Sequence, residues 1–224
     1  MPRLEWDKVG ERRYETGVDR GVLYVQDPSD GSYGAGAVWN GLTAVNQNPT
    51  GGEASPQYAD NIKYLNLVSA EEFEATIEAF TYPKAFMACD GTATVADGVY
   101  LGQQNRRAFG FSYRTLIGND IAGTDYGYKI HIVWGALASP SEKSASTVND
   151  SPEASNFSWS VTTTPVEIGT VGDVNYRPSA YMSFDSTEVD PVDLKALEDL
   201  LYGDADGTAE LPTPAEVMAI FTTP

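Results

Sequence analysis

Apolar and polar residues alternate with a period of two through the centre of the chain, the pattern of strands with one face buried. Over residues 105–117, Arg107, Phe109, Phe111, Tyr113, Thr115 and Ile117 share one face, and Arg106, Ala108, Gly110, Ser112 and Arg114 the other. Gly118-Asn119-Asp120 breaks the alternation and Gly123-Thr124-Asp125 prolongs the turn. A second strand over 126–134 sets Tyr128, Ile130, Ile132 and Trp134 against Lys129, His131 and Val133. The two segments predict an antiparallel pair with a medium-length loop. The same period marks 61–68, 157–164 and 179–184.

Residues 72–81 are helical by composition but strand-like by pattern. Phe73, Ala75, Ile77 and Ala79 share a face, Glu74, Thr76, Glu78 and Phe80 the other, and Thr81-Tyr82-Pro83 ends the run. Residues 84–89 then read as a short helical turn closed by Asp90-Gly91. Stretches 27–60 and 138–156 carry Gly, Pro, Ser and Asn at loop density.

Near the C-terminus the period changes. Asp190-Pro191-Val192-Asp193 supplies an N-cap, a proline at the first helical position and an acid where the helix dipole favours one. Leu194, Leu197 and Leu201 form the apolar stripe and Gly203 the stop. Thr213-Pro214-Ala215-Glu216 is a capping box ahead of Val217, Ile220 and Phe221. Helices this short are marginal alone, so each must dock on the β-body or a neighbouring chain. The expected organisation is a mainly β domain over 1–184 with an N-terminal arm and long loops, and an acidic helical segment over 185–224 docking on that domain.

Composition sharpens this picture. The 224 residues hold 14 Lys and Arg against 32 Asp and Glu, a formal charge of −18. Such a chain does not wrap nucleic acid by neutralising phosphates. The acidity is uneven: residues 185–224 hold ten acids against Lys195 alone, half of the net charge. With 42% apolar residues and a mean hydropathy of −0.30 the chain is expected to fold. One Cys and one His exclude a disulfide framework, a Cys/His zinc site and any mechanism needing two histidines. No uncharged apolar run approaches the roughly eighteen residues of a membrane span. The N-terminus has no apolar signal region, so the expected compartment of synthesis is a cytoplasm.

Candidate chemistry is sparse. His131 lies mid-strand with no nucleophile motif and is read as structural. Cys89, beside Phe86 and Met87, is read as a small hydrophobe in a packed turn. Asp204-Ala205-Asp206-Gly207 starts like a calcium loop, but Glu210 arrives too early for a twelve-residue EF-hand. Gly34-Ala35-Gly36 is followed by neither a P-loop lysine nor a helix. These residues specify no enzyme, cofactor or metal site, and the long polar arms find their ordinary use in contact with another copy or partner.

A run of segments gives the chain a resemblance. They include Gly10-Glu-Arg-Arg-Tyr-Glu-Thr-Gly-Val-Asp-Arg-Gly-Val-Leu-Tyr24, Val38-Trp-Asn-Gly-Leu42, Pro56-Gln-Tyr-Ala-Asp-Asn-Ile-Lys-Tyr-Leu65 and Phe73-Glu-Ala-Thr-Ile-Glu-Ala-Phe-Thr-Tyr-Pro83. Further along come Phe86-x-x-Cys89-Asp-Gly91, Phe111-x-Tyr-Arg-Thr-x-Ile-Gly-Asn-Asp120, Tyr128-Lys-Ile-His131, Ala136-Leu-Ala-Ser-Pro-Ser-Glu-Lys143, Asn149-Asp-Ser-Pro-Glu153 and Leu197-Glu-Asp-Leu-Leu-Tyr-Gly203. In their order and number these segments resemble the major tail proteins, or tail tube proteins, of long-tailed siphophages of actinobacteria and related hosts.

The resemblance implies a tail-tube-type fold of two packed antiparallel sheets with flanking short helices. It further implies a virion structural protein, not an enzyme, assembled in the host cytoplasm into stacked hexameric rings. Its partners would be other copies, a tape-measure protein and a tail terminator, with DNA as passing cargo rather than bound ligand and no membrane. Glu74 and Glu78 are then candidates to line the channel; alternatively they are outer-surface charges or pair with Arg106, Arg114 or Lys129 across the sheet. A virion or surface β-sandwich that binds carbohydrate or host is the competing reading, and a carboxylate-dependent hydrolase a third.

Overall fold

The computed structural model describes residues 3–145, 147, 150, 154–171, 174–205 and 207–222. Its first strands are β1 (Tyr14–Val25), β2 (Ala37–Trp39), β3 (Leu42–Gln47), β4 (Thr50–Gly51), β5 (Ala54–Ala59), β6 (Ile62–Val68), β7 (Glu71–Glu72) and β8 (Glu74–Ala79). A 3-10 turn over Lys84–Ala88 follows, then β9 (Ala93–Ala96), β10 (Val99–Leu101), β11 (Phe109–Asn119), β12 (Gly123–Ala138) and β13 (Phe157–Thr163). The chain ends with β14 (Thr170–Val171), β15 (Val174–Asn175), β16 (Tyr181–Asp185), α1 (Pro191–Tyr202) and α2 (Pro214–Thr222). The protein is mainly β, its sheets antiparallel, with two short helices.

The principal sheet runs β2-β1-β11-β12-β13-β8-β3, and β16 also pairs with β12. One edge of β12 is long enough for two partners: Lys129–Val133 face β16 and Ala136–Ala138 face β13. Between them Gly135 has φ +60°, and a Cβ there would stand 2.5 Å from the Thr164 carbonyl oxygen. Only glycine fits this bend, where Thr164 N–H donates to the Gly135 carbonyl at 3.0 Å. The expected two packed layers are therefore limbs of one continuous sheet, β2-β1-β11-β12-β16 and β13-β8-β3.

The limbs enclose the first core. Leu23, Trp39, Phe109, Phe111, Tyr113 and Val133 come from one limb, Ile77, Ala79, Trp159 and Val161 from the other, and Phe86 fills the space between. Side chains one position along turn to the opposite face, as the strand period requires. There Val22, Tyr24, Ile130, Ile132, Trp134 and Phe184 meet Leu194, Leu197 and Leu201 of α1 and Val217 of α2. The acidic C-terminal segment thus packs on the β-body through an apolar underside. Two hydrogen bonds tie it there as well: Tyr24 Oη donates to the Leu201 carbonyl at 2.6 Å and Trp134 Nε1 to that of Pro212 at 2.9 Å.

Helix ends follow their sequence signals. The Asp190 side chain accepts from Val192 N–H at 2.8 Å, and Gly203 ends α1 at φ +78°. At α2, Thr213 N–H donates to Glu216 Oε2 at 2.8 Å and Glu216 N–H to Thr213 Oγ1 at 3.3 Å, closing the capping box. Thr213→Ala is expected to lower stability by about 1 kcal/mol, read as a shifted urea midpoint at unchanged slope.

Four boundaries differ from the sequence pattern. Stretch 27–60 holds β2 to β5 rather than loop, and the N-terminal arm, expected over residues 1–20, enters β1 from Tyr14 onward. β11 starts at Phe109, not 105, because Arg107 N–H is drawn to the Ala88 carbonyl and Arg106 Nη1 to that of Ala138. β12 is longer at both ends than 126–134, and its connection to β11 is a tight turn in which Asn119 pairs Gly123. The Asn119 carboxamide oxygen holds that turn by accepting from Ile121 and Ala122 N–H.

Candidate functional site

Residues 42–79 form one long antiparallel excursion from the sheet. Its ladder runs outward from Leu42 opposite Ala79, through Thr50 opposite Glu72, to Ala54 opposite Val68 and Ala59 opposite Ile62. Asp60 and Asn61 turn the tip with φ of +49° and +60°, the left-handed pair required by a two-residue hairpin loop. At the root, Ala75, Ile77 and Ala79 are buried in the first core. Beyond it, every residue of β5 and β6 is exposed on both faces. Tyr58, Ile62, Tyr64, Leu67 and Val68 are each more than half accessible, Tyr58 at 71% and Tyr64 at 68%. A two-stranded ribbon with its apolar side chains in water is marginal by itself.

Glu74 and Glu78 lie on the root of this excursion, on the face of β8 turned away from the first core, and both are half-buried. Thr50 Oγ1 donates to Glu74 Oε1 at 3.2 Å, and Asn46 and Asn156 amides donate to the two oxygens of Glu78 at 3.5 and 3.1 Å. The three bases considered as partners are engaged elsewhere. Arg114 grips Asp19 with two hydrogen bonds of 2.7 and 2.5 Å, Lys129 pairs with Glu15, and Arg106 stands 3.6 Å from Asp90. Glu74 and Glu78 therefore keep their charge uncompensated by those bases, close in sequence to Glu71 and Glu72 of β7.

His131 is buried between the limbs. Its Nε2 is 2.8 Å from Thr115 Oγ1, its Nδ1 2.7 Å from Tyr181 Oη, and its ring stacks on Tyr113 at 4.5 Å. Gln47 Nε2 donates to both Tyr113 and Tyr181 hydroxyls, tying β3 into the same network. Burial pulls the imidazole down to about 4, with the neighbouring Glu15 raising it and Lys129 lowering it by less. A neutral, buried ring with both nitrogens hydrogen-bonded ties β11, β12 and β16 together. Cys89 is fully buried, and desolvation pushes its thiol up to about 12, so it carries no thiolate at neutral pH.

Other candidates resolve as structural. Gly36 N–H donates to the Ala209 carbonyl, so the Gly34-Ala35-Gly36 segment ties the body to the link between the helices. Asp204 Oδ1 accepts from Gly207 N–H at 2.6 Å, while Asp206 lies outside the described residues, as do Asn149 and residues 151–153 of the segment 149–153. Among the described residues no group of three or more His, Cys, Asp or Glu could hold a metal, and no helix is long and apolar enough to cross a membrane.

One arrangement escaped the sequence reading. Asp90, nearly buried, receives Lys143 Nζ at 2.5 Å and faces Arg106, while the Lys143 ammonium also sits 5.6 Å above the Tyr82 ring. This cluster pins the segment after β12 to the 3-10 turn. A charged residue beside Gly91 at the end of an apolar turn was the available signal, but its partners lie far along the chain. No protein-family model matches the chain, and no curated protein matches its sequence.

Proposed function

We propose that this chain is a self-assembling structural subunit of a virion, completed by neighbouring copies and carrying no chemistry of its own. The observation that carries the reading is the 54–68 hairpin, which buries none of its apolar side chains within the chain. Exposed clusters of that kind mark interaction surfaces. The edges of β2, β16 and β3 at the ends of the two limbs add to it, since joining copies edge to edge removes the unpaired groups a lone sheet must guard.

Within that class the chain is a major tail protein, the tube-forming subunit of a siphophage tail. The support is the ordered series of resembling segments along nearly the whole length, together with the mainly antiparallel β body and its helical flank. In this reading six copies close a ring in a tail-tube-type fold, rings stack into the tube, and a tape-measure protein and a terminator complete the tail. The subunits are assembled in the host cytoplasm and reside in the virion. DNA passes through without being bound. Glu74 and Glu78 face the lumen, where one sign of charge repeated around each ring repels phosphate along the whole path.

Electron microscopy of the purified protein tests the assignment. Rings or tubes of phage-tail width are the expected result; a protein that stays monomeric when concentrated and retains glycans on an array would instead make it a surface-binding sandwich. In particles carrying Glu74→Lys together with Glu78→Lys, folding should be intact and genome release slowed. Release at the normal rate would remove both residues from the lumen.

A further inference from the structure

At the root of the projecting hairpin lies an open groove of about 700 Å³. Phe73, Tyr181, Pro165 and Pro178 give it an apolar floor, and Glu71 and Arg177 place one charge of each sign beside them. Phe73 and Tyr181 stack at 4.8 Å with their planes 6° apart, so the floor is a fixed surface. The hairpin tip presents the counterpart. Ile62 and Tyr64 flank the exposed Lys63 on β6, where the ladder shifts register between the Tyr58–Lys63 and Gln57–Leu65 pairs, and Asp60 sits at the turn. None of Asp60, Lys63, Glu71 or Arg177 forms an ion pair among the described residues.

A chain cannot seat its own tip in its own groove. Ile62 and Glu71 are about 30 Å apart along an extended strand, and the β5–β6 and β4–β7 ladders between them hold the arm outstretched. We infer that the hairpin tip of one copy occupies the root groove of a second copy, Ile62 and Tyr64 lying on Phe73 and Tyr181, Lys63 meeting Glu71 and Asp60 meeting Arg177. The inference rests on the self-assembly reading and adds the direction of the contact. Tip and groove are different surfaces, so the contact is head-to-tail and each copy still offers one free tip and one free groove. Repeated, such contacts close into a ring when the rotation between copies divides the circle. Burying apolar tip residues supplies the attraction, and the crossed charges fix the register and disfavour the reversed pairing.

Two variants built on exposed residues isolate the contact. A tip variant carries Ile62→Asp and Tyr64→Asp; a groove variant carries Glu71→Lys and Arg177→Asp. Circular dichroism and melting temperature verify that each is folded, and sedimentation velocity reads the mass. Wild type is expected to form assemblies that each variant alone has lost, sedimenting as monomer. An equimolar mixture of the two variants should double the mass and stop there, because one sound tip meets one sound groove. Adding Asp60→Arg and Lys63→Glu to the groove variant should restore assembly by exchanging both charge pairs. A groove variant that assembles like wild type would overturn the docking while leaving self-assembly in place. A wild type that remains monomeric at every concentration would overturn both.

Discussion

Replacing Phe86 with alanine should cost about 3–5 kcal/mol, the range for emptying a fully packed aromatic site. Phe86 is completely buried, and its ring lies 4.6 Å from Trp39, 5.0 Å from Trp159 and 5.5 Å from Phe109. It comes from a single 3-10 turn, yet it touches residues of β2, β13 and β11, elements drawn from both limbs. A cavity there cannot be closed by moving one side chain, since its walls are indoles and phenyl rings held by three strands. Equilibrium urea unfolding followed by tryptophan fluorescence measures the loss, with Trp39 and Trp159 beside the new void. Phe80→Ala, six residues earlier and 53% exposed, should stay within about 0.5 kcal/mol. A cost below about 1 kcal/mol for Phe86→Ala would show that the turn packs on the core without completing it.

Acid should weaken the fold through His131. In the folded chain burial holds the imidazole down to about 4, against an ordinary 6.5, so between those values the unfolded chain binds the extra proton. Stability from this group is complete above about pH 6.5 and is lost as the pH falls towards 4. The full difference is on the order of 3 kcal/mol. Carboxylates also titrate below pH 5, so the measurement is a comparison of slopes. Wild type should lose stability more steeply than His131→Gln from pH 6.5 to 4.5, while the two curves run parallel above pH 7. Equal slopes across the acid range would mean that the ring takes its proton without leaving its place between Thr115 and Tyr181.

Where burial imposed a period, the sequence was readable. Phe109, Phe111 and Tyr113, or Ile130, Ile132 and Trp134, declare their faces because each face has an apolar neighbour. The glutamate-rich β8 is a strand for the same reason: Ala75, Ile77 and Ala79 must all reach one core. Both helices announced themselves through Asp190, Thr213 and Glu216, local caps that need no knowledge of the rest of the fold. Stretch 42–59 could not be read that way. Its strands bury little, so their residues obey no alternation, and their order comes from backbone ladders with partners up to 37 positions away, Leu42 opposite Ala79. Nor were the partners of the charged residues legible. Arg114 finds Asp19 and Lys129 finds Glu15 because β1 lies along β11 and β11 along β12, a matter of register rather than of spacing. That same register is what withdraws them from Glu74 and Glu78.

The strands of the projecting hairpin continue into the body, and this fixes how the molecule carries load. A pull on the tip along the arm travels through the covalent chain of β6 and β7 into β8, which is bonded to β3 on one edge and to β13 on the other. Because β3 is drawn the same way through β4 and β5, the hydrogen bonds between β8 and β13 lie across the direction of force and are strained together, in shear, instead of opening one after another like a zip. Trp159 and Ile77, paired across β13 and β8, anchor that ladder in the first core. Tension on the arm is therefore borne by the β13-β8-β3 limb as a unit and not by a flexible loop.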